Sequence, residues 1–257
     1  MNNKEKAESR LGEININHQG LKMIIIKYNN SNDIEVKFED GTIKKCQYGN
    51  FKLGQLKNYN YKNIYGVACI GEGKYKSRNG GKALKSYTTW KSMLSRCYDK
   101  KYQVRHPTYK DCMVCEEWLN FQNFAEWYEN NYYEIQNEIM HLDKDILIKN
   151  NKIYSPNTCC FVPQKINDFF TKANANRGEF PIGITYCGKG EGENYAVNCS
   201  NSQGKRYLGK YKTIKEAFMV YKQAKEAYIK QMAEFYKENI PKRLYEAMYN
   251  YKVEITD

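Results

Sequence analysis

The residues of this chain best equipped for chemistry are its nine cysteines, at positions 46, 69, 97, 112, 115, 159, 160, 187 and 199. Cys112 and Cys115 stand at the C-x-x-C spacing that zinc sites use, but no second C-x-x-C follows to complete a tetrahedral set. Cys159 and Cys160 are adjacent, so on an extended strand they face opposite sides and at most one of them can join a shared site. Two readings follow: buried thiols in a reducing compartment, which is the expectation, or a Zn²⁺ site drawn from Cys97, Cys112, Cys115 and Cys159. His18 stands alone in the N-terminal stretch and reads as a surface residue. The segment 71–82 is rich in glycine, lysine and arginine, a composition suited to phosphates. It has no strand–GxxxxGK[ST]–helix context, so a nucleotide-binding loop is excluded and a basic linker over 71–85 is expected.

The whole chain has the same bias. Of 257 residues, 41 are Lys or Arg and 29 are Asp or Glu, a formal net charge of +12. With 41% hydrophobic residues there is material for packed cores, and a wholly disordered chain is excluded. No window approaches eighteen consecutive apolar residues, so no membrane partner is expected, and no export signal is visible at the N-terminus. The expectation is a cytoplasmic protein with a polyanionic partner, nucleic acid first.

The elements that must position these residues fall into three groups. Over 1–70, alternation at Ile34, Val36 and Phe38, a second apolar run at Met23–Ile26 and a turn at Asp40-Gly41 predict a small antiparallel β module. The Met23–Ile26 strand is read as apolar on both sides. In the middle, Trp90, Met93, Leu94 and Cys97 lie at i, i+3, i+4 and i+7, and Trp118, Phe121, Phe124 and Tyr128 repeat the stripe, giving two core helices. Leu142–Ile148 and Ile153–Val162 then read as strands, with Pro163 at the first position of a helix carrying Ile166, Phe169 and Phe170. This is a ββα unit. From 177 onward, Ile182–Cys187, Asn194–Cys199 and Lys205–Tyr211 are three short strands. Thr213 and Glu216 form a capping box, opening a long helix with Ile214, Phe218, Tyr221, Tyr228, Met232 and Phe235 on one face. Pro241 opens a last helix. The fold class is α+β.

Two stretches resemble known families. Tyr87, Trp90, Met93, Arg96, Cys97 and Tyr98, then Val114, Cys115, Trp118 and Phe121, then Leu142-Asp143-Lys144-Asp145, then Tyr154, Ser155, Pro156, Asn157 and Cys159 resemble phage-type HNH homing endonucleases. Tyr207-Leu208-Gly209-Lys210-Tyr211 with Thr213, Glu216, Ala217 and Tyr221 resembles AP2-like DNA-binding domains. Together the matches span 86–236, placing an HNH-like ββα domain at 86–176 and an AP2-like domain at 177–257.

The resemblance implies a phage-encoded protein in the host cytoplasm that binds double-stranded DNA and hydrolyses phosphodiesters with Mg²⁺ or Mn²⁺ if active. Asp143 and Asn167 match the metal ligands and Asn157 the residue that orients the loop, while Lys144 stands where the family has its general-base histidine. A lysine becomes a base only if its pKa drops by about three units from 10.4, and flanking aspartates push the other way. His141 lies on the opposite strand face from 144 and is a poor substitute. The alternative is that Asp143, Asn157 and Asn167 hold the hairpin together by hydrogen bonds. In the AP2-like part, the sheet face in the major groove matches Thr185, Cys187, Asn198, Ser200, Lys205 and Tyr207, with Lys189, Arg206 and Lys210 beside it. The rival functions are a catalytically silent DNA-binding regulator or accessory protein, or a binder of a host protein or RNA complex.

Overall fold

The computed structural model describes residues 3–170, 179–188, 194–201 and 204–256. It is a mixed α+β chain that divides into two compact units, 1–106 with 115–128 and 107–114 with 129–257. These limits do not coincide with composition boundaries at 70, 85 and 176. The helical segments 86–106 and 115–128 group with the N-terminal sheet, and the ββα unit groups with everything that follows it. Among the described residues no helix is long and apolar enough to cross a membrane.

In the first unit, helix α1 (Asn3–Arg10) precedes a four-stranded antiparallel sheet in order β1 (Ile14–Ile16), β2 (Lys22–Asn30), β3 (Asp33–Phe38), β4 (Ile43–Cys46). Met23, Ile25, Ile34, Val36 and Phe38 form its buried face together with Phe51 from helix α2 (Tyr48–Lys52). The β2 strand is buried on one face only, since Ile26 is 39% exposed. The Asp40-Gly41 turn joins β3 to β4 as expected, with Lys37 paired to Ile43. A short two-stranded ribbon follows, β5 (Arg78–Asn79) against β6 (Lys82–Ala83). Helix α3 (Lys85–Tyr98) buries Trp90, Met93, Leu94 and Cys97, the stripe its spacing predicts. Asp99 caps a further short helix, α4 (Lys100–Arg105), by accepting the N–H groups of Lys101 and Tyr102. Trp118 lies in a 3₁₀ turn (Glu116–Leu119) rather than in helix α5 (Phe121–Asn131), and its carbonyl accepts the indole N–H of Trp90 at 2.7 Å.

In the second unit, β7 (Met113–Val114) pairs in parallel with β9 (Ile153–Tyr154), while β8 (Met140–Asp143) pairs antiparallel with β10 (Cys160–Pro163). Strand β8 stops at Asp143, short of the predicted Ile148, because the Asp143 carboxylate folds the chain into a turn (below). Pro163 is the last strand residue, opposite Met140, and helix α6 begins after it at Gln164 and runs to Phe170. The C-terminal sheet has the order β11 (Ile184–Tyr186), β12 (Tyr195–Asn201), β13 (Gly204–Tyr211), all antiparallel. Helix α7 (Ile214–Tyr236) starts at the predicted capping box, with Thr213 Oγ1 accepting from Glu216 N and Glu216 accepting from Thr213 N, each at 3.2 Å. Helix α8 is Lys242–Tyr249.

One helix serves two cores. The first half of α7 places Ala217, Phe218 and Tyr221 on the C-terminal sheet with Ile184, Val197 and Cys199. Its second half places Ile229, Ala233 and Tyr236 against the ββα residues Ile146, Cys160, Val162 and Ile166, with Leu244 and Met248 of α8. The apolar stripe therefore shifts along the helix, and Phe235, expected on the buried face, is 78% exposed.

Candidate functional site

The turn after β8 carries Asp143 and Lys144, the residues that the resemblance marks as catalytic. Asp143 Oδ1 accepts the backbone N–H of Asp145 at 2.8 Å and of Ile146 at 2.7 Å. Two such bonds favour the carboxylate, but burial and the nearby Asp145 charge outweigh them and push the Asp143 pKa up to about 6. Lys144 is buried, and its ammonium donates to Asp145 Oδ2 at 3.1 Å while lying 5.9 Å from the centre of the Tyr154 ring. Burial alone would lower the Lys144 pKa. The Asp145 carboxylate overrides it and holds the group above the ordinary lysine value. An ammonium held protonated has no lone pair with which to take a proton from water.

The partners implied by resemblance are placed less closely. Asn157 is exposed, and the turn around it is closed by others: Ser155 Oγ meets Thr158 Oγ1 at 2.9 Å, and Thr158 Oγ1 donates to Ile153 O at 2.7 Å. Arg243 of α8 adds a bond from its guanidinium to Cys159 O at 2.7 Å. The amide that ties the post-Asp143 turn to its loop is Asn151, donating to Lys144 O and Ile153 O, both at 2.7 Å. Asn167 is half-buried on α6, which packs on β8. His141 shares a strand face with Asp143, and its Nε2 is buried with no hydrogen-bond partner among the described residues.

A hard divalent cation needs several converging oxygens. Here Asp143 Oδ1 already serves two N–H donors, and the Asp145 carboxylate is occupied by an ammonium. The donor set does not fit Mg²⁺ or Mn²⁺, and no step is derived through either. Of the cysteines considered for zinc, Cys112 is buried and Cys115 half-buried. Cys97 and Cys159 are buried. Among the described residues no three His, Cys, Asp or Glu side chains gather as a metal site.

The C-terminal sheet offers a different kind of surface. Ile184, Val197 and Cys199 point at α7, so the alternate residues point away from it. Register places Thr185 and Lys210 on either side of Ala196, Asn198 opposite Tyr207, and Ser200 opposite Lys205. Five of the six residues expected on one face share it, Thr185, Asn198, Ser200, Lys205 and Tyr207, and Lys210, expected beside the face, lies on it as well. Thr185, Ser200, Lys205, Tyr207 and Lys210 are exposed, Tyr207 by 57%. Arg206 pairs with Cys199 and so belongs to the other face, though it too is exposed. Cys187 follows β11 and is exposed; Lys189 lies outside the described residues. A bulge at Val197/Asn198 leaves Leu208 out of register and free to pack toward the helix. Gly183 holds the approach of β11 to α7 tight: at φ +78° its added Cβ would lie 2.3 Å from the Tyr221 ring.

No family model matches the chain, and neither the curated proteins nor the solved structures give a match. Sequence reasoning missed Asn151 and Arg243, whose roles depend on which backbone carbonyls the fold brings to them. It also missed Lys225 of α7, whose Nζ donates to Phe169 O at 2.8 Å and lies 3.4 Å from that residue's ring centre. Burial lowers its pKa to about 8.

Proposed function

We propose that this chain is a duplex-DNA-binding protein of the phage HNH/AP2 homing-endonuclease type in which binding persists without cleavage. The observation that carries the reading is the outward sheet face of Thr185, Asn198, Ser200, Lys205, Tyr207 and Lys210, in a chain of net charge +12. Lysines at such a face contact phosphates, and an asparagine amide pairs with the N6 and N7 of adenine in the major groove. Tyr207 adds an exposed ring for sugar or base contact. With one arginine beside the face and none on it, guanine readout by bidentate Arg is not the expected mode.

The absence of cleavage rests on the turn after β8. The base position carries an ammonium held by Asp145, and one oxygen of the neighbouring Asp143 carboxyl, Oδ1, is committed to the backbone. Asp143 then acts as a capping residue.

A gel shift on duplex DNA, run beside a supercoiled-plasmid nicking assay with Mg²⁺, Mn²⁺ and EDTA, tests both halves. The expected result is a shift indifferent to chelator and no nicking. Metal-dependent nicking that disappears in Asp143→Ala would show an active nuclease instead, and no shift on any duplex would turn the assignment to a protein or RNA partner.

A further inference from the structure

The segment 71–85 reads as a linker, but the structure gives it a clamped base and a bare tip. At the base, Gln122 of α5 accepts the N–H of Tyr75 at 2.9 Å and donates to the carbonyls of Tyr75 at 3.0 Å and Ile70 at 3.3 Å. Gln122 itself is buried. Glu72 is ion-paired with Lys44. Beyond this anchor, Leu84 N donates to Ser77 O, and Arg78 pairs with Ala83 and Asn79 with Lys82. Gly80 and Gly81 close the ribbon at φ +53° and +81°, the left-handed pair that a two-residue hairpin loop requires.

The charge on this ribbon is one-sided in sign and two-sided in space. From Gly73 to Tyr98 the chain carries seven Lys or Arg residues and no Asp or Glu. The flanking Glu72 is ion-paired with Lys44 at the base. Cross-strand partners share a face, so Arg78 stands on one side of the ribbon, its guanidinium also donating to Gly81 O at 3.1 Å, and Lys82 on the other. Residues 78–83 are all exposed, as is Lys76. None of Lys76, Arg78 and Lys82 has a carboxylate partner among the described residues.

A two-stranded ribbon this short gains almost nothing from its own pairing. What the fold maintains here is a thin, rigidly based projection with uncompensated cations on both faces. The DNA major groove, about 12 Å wide, admits a two-stranded ribbon and is walled by phosphates on both sides. We infer that the β5–β6 ribbon is a second DNA-contacting element, lying in the major groove with Lys76, Arg78 and Lys82 on phosphates of both strands and the side-chain-free Gly80-Gly81 tip at the groove floor. This rests on the reading of the chain as a duplex-DNA binder and adds to it a site in the N-terminal unit.

The test is the salt dependence of binding to an unrelated-sequence duplex by the full chain. Each phosphate contact contributes about 0.9 to the slope of log K against log salt. The triple variant Lys76→Gln, Arg78→Gln, Lys82→Gln is compared with the wild type and with a control of equal charge change, Lys22→Gln, Lys37→Gln, Lys45→Gln. All three residues of the control lie on the exposed side of the N-terminal sheet. Thermal melting confirms that each variant is folded. The expected result is a slope smaller by about 2 to 3 in the ribbon variant and unchanged in the control. If the wild type binds and the ribbon variant keeps its slope, or both variants lose equally, the ribbon assignment is overturned while DNA binding stands. If the wild type binds no duplex, the functional reading fails and the ribbon assignment fails with it.

Discussion

Opposing effects meet on the Asp143 carboxyl. Two backbone N–H donors favour its charge, and burial with the Asp145 repulsion disfavours it more strongly. A group that binds its proton more tightly folded than unfolded contributes stability below its unfolded pKa, here about 3.8, and loses it as pH rises through about 6. Asp143→Asn keeps the acceptor oxygen and cannot ionise. Denaturation curves from pH 3.5 to 7 should therefore show the wild type falling relative to Asp143→Asn between pH 4 and 6, by at most about 3 kcal/mol. A difference that stays flat with pH would mean the carboxyl is solvated and free to ionise, and would remove the argument against a metal. Lys144 behaves oppositely, since its pKa is held up and its charge persists throughout this window.

At the scale of elements, α7 decides which contacts matter. Its spacing predicts one face ending at Phe235, yet the residues that bury in the second half are Ile229, Ala233 and Tyr236. The reason is that the helix outruns the C-terminal sheet and meets the ββα unit, whose Val162 and Ile166 lie in a different direction around the axis. Ile229→Ala should cost about 2 to 4 kcal/mol in urea denaturation, as a fully buried large-to-small change. Phe235→Ala should stay within about 0.5 kcal/mol, since that ring is mostly in water. Equal costs for the two would show that the buried face is the one periodicity predicts. The ribbon divides in the same way: its Gly80-Gly81 turn is local, while its base at Tyr75 is held by Gln122 of α5.

At the scale of the molecule, one buried cluster joins residues on both sides of the boundary at 176 that the resemblance suggests. Strand β7, from 113–114, pairs with β9, and the ββα core is completed by α7 and α8. A fragment of 177–257 would leave Ile229, Ala233, Tyr236, Leu244 and Met248 without the surface they cover. It should self-associate in sedimentation and lose helix content per residue relative to the full chain. A stable, monomeric 177–257 would show that the sheet and its helix fold independently. The shared helix also couples the two parts energetically, so a substitution in the ββα core lowers the stability of the sheet that carries the proposed DNA face.

The sequence by itself determined whatever depends on neighbours a few residues away. The β3–β4 alternation and its Asp40-Gly41 turn, the α3 stripe of Trp90, Met93, Leu94 and Cys97, the Thr213/Glu216 capping box and the alternation that puts Thr185, Asn198, Ser200, Lys205 and Tyr207 on one face are all local periodicities or local hydrogen bonds. So is the net charge. Tertiary structure decided what depends on a partner distant in the chain. The bonds that end β8 at Asp143 and the carboxylate that keeps Lys144 charged are local, but the burial that pushes the Asp143 pKa up comes from the folded chain around them. The base of the basic ribbon is held because Gln122 reaches Tyr75 and Ile70, and α7 changes face because a second core lies along its path. A side chain's type announces what it can do, but its pKa, exposure and partner are set by surroundings that only the folded chain assembles.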